Sequence, residues 1–241
     1  MNYNRVPRNH FPPVVAATWS ANNALLAPYD SSLVSAWKMD DVADSKGSNT
    51  LTNNGTITFD TGISGNAAIF ASTPRKWFSN ASPSGMPSGT GDFTFATWFY
   101  PTSFRGIDCL FLYNQAAWFE MYYTGNTFVS VCSDMPDGIM IGSSSTAANN
   151  WHHVVFTRLS RRFTIYHNGT NLGTSVDDDN HNNLSIGTCT TLNVGGNSGT
   201  DGQSIIGKLD ETYVWNGKGF DDDDVTALYN SGTGSFYIPL T

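Results

Sequence analysis

Short runs of alternating apolar and polar residues recur along most of the chain, separated by clusters of Gly, Ser, Asn and Pro. An apolar residue at every second position predicts a strand with one buried face. Strands are predicted at residues 33–39, 56–59, 67–70, 93–101, 108–113, 117–123, 128–132, 139–142, 151–158, 163–167, 184–186, 191–194 and 205–215. Many short strands with turn signals between them predict an all-β fold, a two-sheet antiparallel jelly-roll sandwich.

The clearest alternation is in residues 151–157 and 163–169. Residues 158–162 connect these two runs, and their arginines predict a solvated loop tip. Asn168-Gly169 closes the second run and is a typical type I′ turn pair. This segment therefore predicts tight hairpins in which one face of the sheet is apolar.

One short helix is predicted near the C-terminus, where aspartates 221–224 precede Val225, Leu228 and Tyr229. These three residues share one helical face, and aspartates at a helix start cap its amides and complement the helix dipole. Gly232 predicts the end of the helix. A calcium site at the aspartate run is the alternative, but capping needs no ion.

Residues 1–31 differ from the rest of the chain, because they contain prolines and apolar patches without lasting periodicity. Unstructured tails seldom carry residues such as Trp19 or Leu25-Leu26. We therefore predict an extended N-terminal arm at residues 1–31, which docks on the domain or on a neighbouring subunit. A β-sandwich at residues 32–241 follows it.

The composition of the chain limits the classes of function that it can have. Only 13% of the residues are charged, about half the usual share, which suits a β-rich protein exposed outside the cell. The net charge of −8 excludes nucleic-acid binding through phosphate contacts.

No apolar run reaches the roughly 20 residues of a membrane helix, and we expect no secretory signal peptide. Cys109, Cys132 and Cys189 are too few and too far apart for a disulfide scaffold, so buried thiols are expected, with one bridge left open.

The order of several motifs resembles laminin-G-like, concanavalin A-like lectin domains. The resemblance is carried by residues 33–41, 44–47, 65–70, 93–101, 151–154, 165–169, 207–215 and 228–230, and it spans residues 33 to 231. It implies the jelly-roll sandwich predicted above and a role in glycan recognition, adhesion or packing in surface assemblies. The fold alone does not determine the ligand.

Catalysis is not predicted, because glycosidases need two carboxyl groups on either side of one bond. Glu120 has no acidic neighbour in its strand, and Glu211 adjoins Asp210, whose side chain should point to the opposite face. His152-His153 cannot chelate one ion for the same reason, and we expect one ring to be packed and the other solvated.

A structural calcium ion is predicted near the first strand, since domains similar to this one often hold one there. Asp40, Asp44, Asn49 and Asp210 supply the hard oxygen ligands that calcium requires. Residues 177–180 are a second candidate. The alternative is that a loop rich in Asp and Asn turns without an ion, through its own side-chain hydrogen bonds.

Aromatic residues supply the remaining candidates. Those on the family's strands are expected to pack in the core: Trp37, Trp98, Trp151 and Trp215. The candidate ligand-binding residues are Trp77, in a loop rich in Pro, Ser and Gly, and Trp118, Tyr122 and Tyr123, in mid-sheet. Sugar sites and protein interfaces share this aromatic signature, so contact with a partner is the open alternative.

Taken together, the sequence predicts a non-catalytic surface module. Our hypothesis is a virus or phage structural protein, a capsid decoration or fibre protein, located on the virion or another extracellular surface. It would bind other structural subunits through the arm and surface glycans through the domain. The alternative is a free calcium-dependent lectin-like or adhesion module, and a glycosidase is the least favoured.

Overall fold

The computed structural model describes residues 18–19, 27–113, 119–125, 127–132, 144–176, 185–198 and 203–238. The strands in these residues are β1 Thr18–Trp19, β2 Leu33–Trp37, β3 Thr52–Asn54, β4 Thr58–Thr61, β5 Asn66–Phe70, β6 Trp77–Asn80, β7 Phe93–Ser103, β8 Asp108–Tyr113, β9 Phe119–Thr124, β10 Thr127–Cys132, β11 His152–Leu159, β12 Arg162–His167, β13 Thr170–Val176, β14 Leu192–Val194, β15 Ile206–Asn216 and β16 Phe236–Tyr237. The α-helix α1 is Asp222–Tyr229, and two 3-10 helices are Ala27–Ser32 and Asn230–Gly232.

Two antiparallel sheets form the body of the protein. The six-stranded sheet has the order β10-β9-β8-β14-β6-β3. The eight-stranded sheet has the order β13-β12-β11-β7-β15-β5-β4, and β2 also pairs with β15. The two-sheet antiparallel sandwich with one short helix is therefore confirmed.

The core between the sheets is rich in aromatic rings, because every second residue of each strand points inward. On β7, Phe93, Phe95 and Phe99 all lie in this core. The Phe95 ring lies 4.8 Å from the ring of Phe111 and 5.2 Å from that of Phe119, both on the opposite sheet. Contacts of this kind join the two sheets at typical aromatic packing distances.

The hairpin of β11 and β12 is confirmed, but its turn is shorter than predicted. The two strands pair to their last residues, which leaves only Ser160 and Arg161 as the turn. Both have positive φ, 50° and 66°, as a type I′ turn requires. The predicted solvated tip is wrong for Arg158, which is fully buried in β11 with its guanidinium 5.1 Å from the Phe163 ring.

A second apolar cluster lies on the outer face of the eight-stranded sheet, where α1 covers it. Val225 and Leu228 of α1 pack there with Val155 and Trp215. Asp221 caps the helix in a reciprocal capping box with Asp224, as the aspartate run predicted. The C-terminal cap is Asn230 in the left-handed conformation, so the prediction that Gly232 ends the helix is wrong by two residues. No helix in the described ranges is long and apolar enough to span a bilayer.

Several strands escaped the sequence pattern. These are β1, β3, β6, β13 and β16, most of which are short or carry few apolar residues. Trp77 was predicted to lie in a loop and instead begins β6. The strand predicted to end at Pro101 continues to Ser103. Residue 186 forms only an isolated bridge with Gly89, and the strand predicted at 139–142 lies outside the described residues.

The described parts of the predicted arm contact the domain. β1 pairs in parallel with β16 at the other end of the chain. The Tyr29 ring lies 5.2 Å from that of Phe220, and its hydroxyl donates to Asp224. Lys46 forms an ion pair of 2.8 Å with Asp30. The boundary between residues 31 and 32 stays a prediction.

Candidate functional site

An open groove of about 620 Å³ lies between the start of α1 and the outer face of β12 and β13. The capping sequence of α1 places three carboxylates along one wall, and the alternation of the strands turns hydroxyl groups toward the floor. The lining consists of Leu159, Ser160, Arg162, Thr164, Tyr166, Asn171, Thr174, Phe220, Asp221, Asp222 and Asp223. The sequence pattern predicted a capping role for Asp221–Asp223, with a calcium site as the alternative, and it did not reveal their position beside the groove.

Hydrogen bonds fix the polar groups of the groove. The Tyr166 hydroxyl donates to Asp222 at 2.7 Å, and Asn171 donates to the same oxygen at 3.4 Å. The hydroxyls of Thr164 and Thr174 lie 3.0 Å apart. Burial, reinforced by the bond to Asp222, raises the pKa of Tyr166, which keeps its hydroxyl a donor. Hydroxyl, amide and carboxylate groups beside apolar walls suit a ligand rich in hydroxyl groups.

The three predicted aromatic residues that the structure describes, Trp77, Tyr122 and Tyr123, do not line this groove. Trp77 is half-buried on β6 with the Arg75 guanidinium 4.7 Å from its ring. Tyr122 is half-buried on β9, which two strands, β8 and β14, separate from β6. Tyr123 is buried in the core between the sheets, and Trp118 lies outside the described residues. Of the predicted ligand-binding residues in the described part of the chain, Trp77 and Tyr122 are partly exposed, and they lie at separate places on the six-stranded sheet.

The four tryptophans expected in the core differ in their surroundings and in their burial. Trp37 is fully buried between the sheets, whereas Trp215 lies in the outer cluster. Trp98 is buried against the ring of Tyr229 on α1, at 5.8 Å. The expectation is wrong for Trp151, which is only half-buried.

The four predicted calcium ligands each bind backbone amides. The Asp44 carboxylate accepts four of them, and Asn49 bonds to Ser35 and to the backbone of Ser84. Asp40 accepts from the amide of Asn66, and Asp210 accepts from those of Ile63, Ser64 and Glu211. The structure thus brings Asp40 and Asp210 to one loop, residues 62–66. Among the described residues no group of three or more His, Cys, Asp or Glu is arranged to hold a metal. Calcium stays a prediction, as does the segment 177–180, which is not described.

A β-bulge in β15 alters the geometry expected for Asp210 and Glu211. The register shifts between Asp210 and Tyr213, and Glu211 has a φ of 46°. Both carboxyl groups are fully buried and both lie beside Ser64, whose amide donates to Asp210 and whose side chain acts to lower the pKa of Glu211. The expectation that they point to opposite faces is therefore wrong. Burial raises the pKa of Glu211 to about 7, and burial together with the neighbouring Glu211 raises that of Asp210.

The other glutamate and two of the three cysteines, Cys109 and Cys189, lie in the interior. Glu120 is 7% exposed, and burial raises its pKa, while a hydrogen bond with Cys109 opposes this shift. Cys109 and Cys189 are free and buried, as expected, and burial raises the pKa of both thiols. The Cys132 side chain is outside the described set.

Both adjacent histidines are buried, at 5% exposure for His152 and 2% for His153. They do point to opposite faces: His153 stacks on Trp98 and Tyr229 on the outside, and His152 faces His167. The expectation of one solvated ring is therefore wrong, because α1 covers the outer ring.

The fold is that of a concanavalin A-like jelly roll, with two antiparallel sheets around an aromatic core. The chain belongs to the concanavalin A-like lectin/glucanases superfamily, whose family model matches residues 79–223, more than half of the 241 residues. No curated protein matches the sequence.

Several solved structures share the fold. Domain 4 of AbnA, an extracellular GH43 arabinanase from Geobacillus stearothermophilus in complex with arabinotriose, has a TM-score of 0.66 at 17% identity, over 84% of this chain and 98% of that one. The binding domain of Paraclostridial Mosquitocidal Protein 1 has a TM-score of 0.67 at 17% identity, over 85% and 53%. A botulinum neurotoxin type C structure, for which cell entry depends upon interaction with two ganglioside molecules, has a TM-score of 0.63 at 14% identity, over 86% and 52%. The chain thus spans nearly all of the arabinanase domain but about half of the toxin chains.

Proposed function

We propose that this chain is a non-catalytic glycan-binding module and that the groove beside α1 is its binding site. The observation that carries the proposal is the lining of the groove, which combines fixed hydroxyl, amide and carboxylate groups with apolar walls. Such groups hydrogen-bond sugar hydroxyls from a preformed site, which limits the entropy lost on binding. The complex of the related arabinanase domain with arabinotriose, and the ganglioside interaction of the neurotoxin, are consistent with this role.

The absence of activity is proposed on the same geometry. Asp222 in the groove already accepts a hydrogen bond from the Tyr166 hydroxyl. Tyr166 therefore acts as a hydrogen-bond donor in the groove and not as a catalytic base. The carboxyl groups of Asp210 and Glu211 are fully buried, so no substrate can reach them. A pair of carboxylates on either side of an accessible substrate is the arrangement that glycoside hydrolysis needs.

Substitution of Asp222 tests the groove. Asp222→Ala removes the acceptor of Tyr166 and Asn171, and we expect roughly tenfold weaker glycan binding, since a hydrogen bond to a charged group contributes about 1.5–3 kcal/mol. Titration calorimetry with arabinotriose and with ganglioside oligosaccharides measures the change. Thermal unfolding should confirm that the variant is folded.

Trp77→Ala is the matched control, because Trp77 lies on the other sheet. Its affinity should equal that of the wild type. A loss of binding in Trp77→Ala but not in Asp222→Ala would move the site to the predicted aromatic residues. Failure of every glycan to bind the wild-type protein would overturn the proposed function itself.

We further propose that the module is a virus or phage structural protein, attached to other subunits of the particle through its N-terminal residues. The proposal is supported by the contacts of Tyr29 and Asp30, which hold the chain on the domain from residue 29 onward. The attachment to a neighbouring subunit is assigned to the residues that precede them.

A chain that begins at residue 27 should keep its fold and lose assembly. It retains Tyr29 and Asp30, so we expect its melting temperature to stay within about 3 °C of that of the full chain, because the described structure that is removed is the two-residue pairing of β1 with β16. Mass photometry of both proteins at equal concentration measures the assembly. Equal oligomer distributions would contradict the attachment role.

A further inference from the structure

Two buried histidines connect residues 144–147 to the sandwich through a continuous chain of hydrogen bonds. The Nδ1 atom of His167 lies 2.6 Å from the hydroxyl of Ser144, and its Nε2 atom lies 2.9 Å from Nδ1 of His152. The Nε2 atom of His152 lies 2.8 Å from the carbonyl oxygen of Ala147. Both rings are buried, with 5% and 7% exposure.

The positions of the hydrogens in this series of bonds follow from its last acceptor, the carbonyl oxygen of Ala147. A carbonyl oxygen only accepts, so Nε2 of His152 carries the hydrogen and its Nδ1 is an acceptor. His167 must therefore donate from Nε2 and accept at Nδ1, where the hydroxyl of Ser144 donates. All three bonds are satisfied at once only if both rings are neutral or if a single proton is added at Nδ1 of His167, where the hydroxyl can turn to accept.

A second proton has no place in the chain. It would put hydrogens on both Nδ1 of His152 and Nε2 of His167, two donors 2.9 Å apart. The hydrogen bond between the rings must then break. The two imidazolium cations also repel each other, because both rings are buried away from solvent. Each ring also holds Ser144 or Ala147, so the rings cannot move apart without disturbing these two attachments.

Among the residues that the structure describes, none packed against the two rings offers a compensating charge. Phe128 of β10 packs 5.1 Å from His167, Phe99 of β7 pairs with His152, and Thr170 of β13 pairs with His167. The neighbouring titratable group is His153 on the opposite face, and its pKa is lowered by burial and by His167. Burial lowers the pKa of His152, and burial and His152 together lower that of His167 to about 4.

We propose that the chain Ser144–His167–His152–Ala147 is a proton-sensitive latch, which holds residues 144–147 on the sandwich at neutral pH and releases them in acid. The released segment leads directly into β11, the partner of the long central strand β7. Acid would therefore loosen one end of the sandwich before the core unfolds. The latch is independent of the glycan groove, which lies beside α1.

Two measurements on the full chain test the latch. Long-range proton–nitrogen NMR correlations at pH 7 should show both His152 and His167 as neutral rings with the hydrogen on Nε2. Hydrogen exchange of peptides that cover residues 144–150, corrected for the intrinsic rate, should accelerate between pH 6 and pH 4.5. The opening constant should rise by roughly tenfold for each pH unit and each histidine that gains a proton.

The variant His152→Gln has a neutral side chain in place of one ring. The change of its opening constant with pH should therefore be smaller than in the wild type by the contribution of His152, roughly tenfold per pH unit. Peptides over β3 and β6 provide the internal reference, because both strands lie at the edge of the six-stranded sheet opposite β10, whose Phe128 packs on His167. A hydrogen on Nδ1 of either ring in the wild-type protein at pH 7 would overturn the proposal even if the variant fails to fold. Corrected exchange at 144–150 that stays constant with pH would overturn it as well.

Discussion

Replacing Glu211 with glutamine should stabilise the protein by about 3 kcal/mol at pH 8 and change its stability little at pH 4. The Glu211 side chain is fully buried, Oε2 accepts from the Tyr213 hydroxyl, and Oε1 has no partner. Burial raises the pKa of this carboxyl from 4.5 to about 7, against the lowering effects of Tyr213 and Lys38. Glutamine has the shape of the protonated acid and does not ionise, so it retains the favourable form at every pH.

The direction of the pH dependence follows from proton linkage. Below pH 4.5 the carboxyl is protonated in both the folded and the unfolded chain, and its full contribution to stability is present. Between 4.5 and about 7 only the folded chain holds the proton, so the free energy of unfolding falls by about 1.4 kcal/mol per pH unit. Above about 7 both states are ionised and the loss is complete. Glutamine also removes the charge that contributes to the raised pKa of Asp210.

Urea unfolding of the wild type and of Glu211→Gln at pH 4 and pH 8 measures this difference. The histidines titrate equally in both proteins, so the comparison isolates the buried carboxyl pair. Asp223→Asn is the control, because Asp223 is exposed at the start of α1, and it should follow the wild type. Equal losses of stability in the wild type and in Glu211→Gln would show that the pKa of Glu211 is the same in the folded and the unfolded chain, which would contradict the prediction.

Regular alternation is the part of this fold that the sequence reveals. Where a strand buries one face on the core, the apolar residues identify it, as for β7 and β11. β3 and β13 are edge strands with few apolar residues, so the same pattern is absent. The turn of β11 and β12 was placed too wide because arginines were assumed to be solvated, whereas the aliphatic part and the planar guanidinium of Arg158 pack on Phe163.

The candidate site was harder to predict from the sequence than the fold, because it depends on contacts between segments that are distant in the chain. The groove joins α1 to strands more than 40 residues earlier in the chain, a proximity that no local pattern encodes. The bulge that brings Asp210 and Glu211 together requires a positive φ at a glutamate, which local preference disfavours. Gly62 is one residue that signals this arrangement, since a β-carbon there would overlap the carboxylate of Asp210.

Asp44→Ala should destabilise the protein by about 3 kcal/mol, with or without a calcium chelator. The carboxylate of Asp44 accepts from the amides of Ala36 at 3.0 Å, of Lys46 at 3.0 Å, of Gly47 at 2.9 Å and of Asn49 at 3.0 Å. These bonds close the loop after β2 on the strand itself. Alanine leaves all four donors without this acceptor, and each bond to a charged group contributes about 1.5–3 kcal/mol, of which water recovers part at the exposed amides.

Urea unfolding of Asp44→Ala and of Asp41→Ala, each in EGTA and in calcium, separates the loop from the ion. Asp41 is the matched control because it is exposed and accepts one amide, that of Ala43 at 2.7 Å; its loss should stay near 0.5 kcal/mol, as for most surface substitutions. An ion held by Asp40, Asp44, Asn49 and Asp210 would prefer the folded state, and its removal would lower the stability of the wild type. The amide bonds need no ion, so the loss in Asp44→Ala should persist in EGTA. A loss that vanishes in EGTA would mean that Asp44 stabilises this loop through calcium rather than through the backbone.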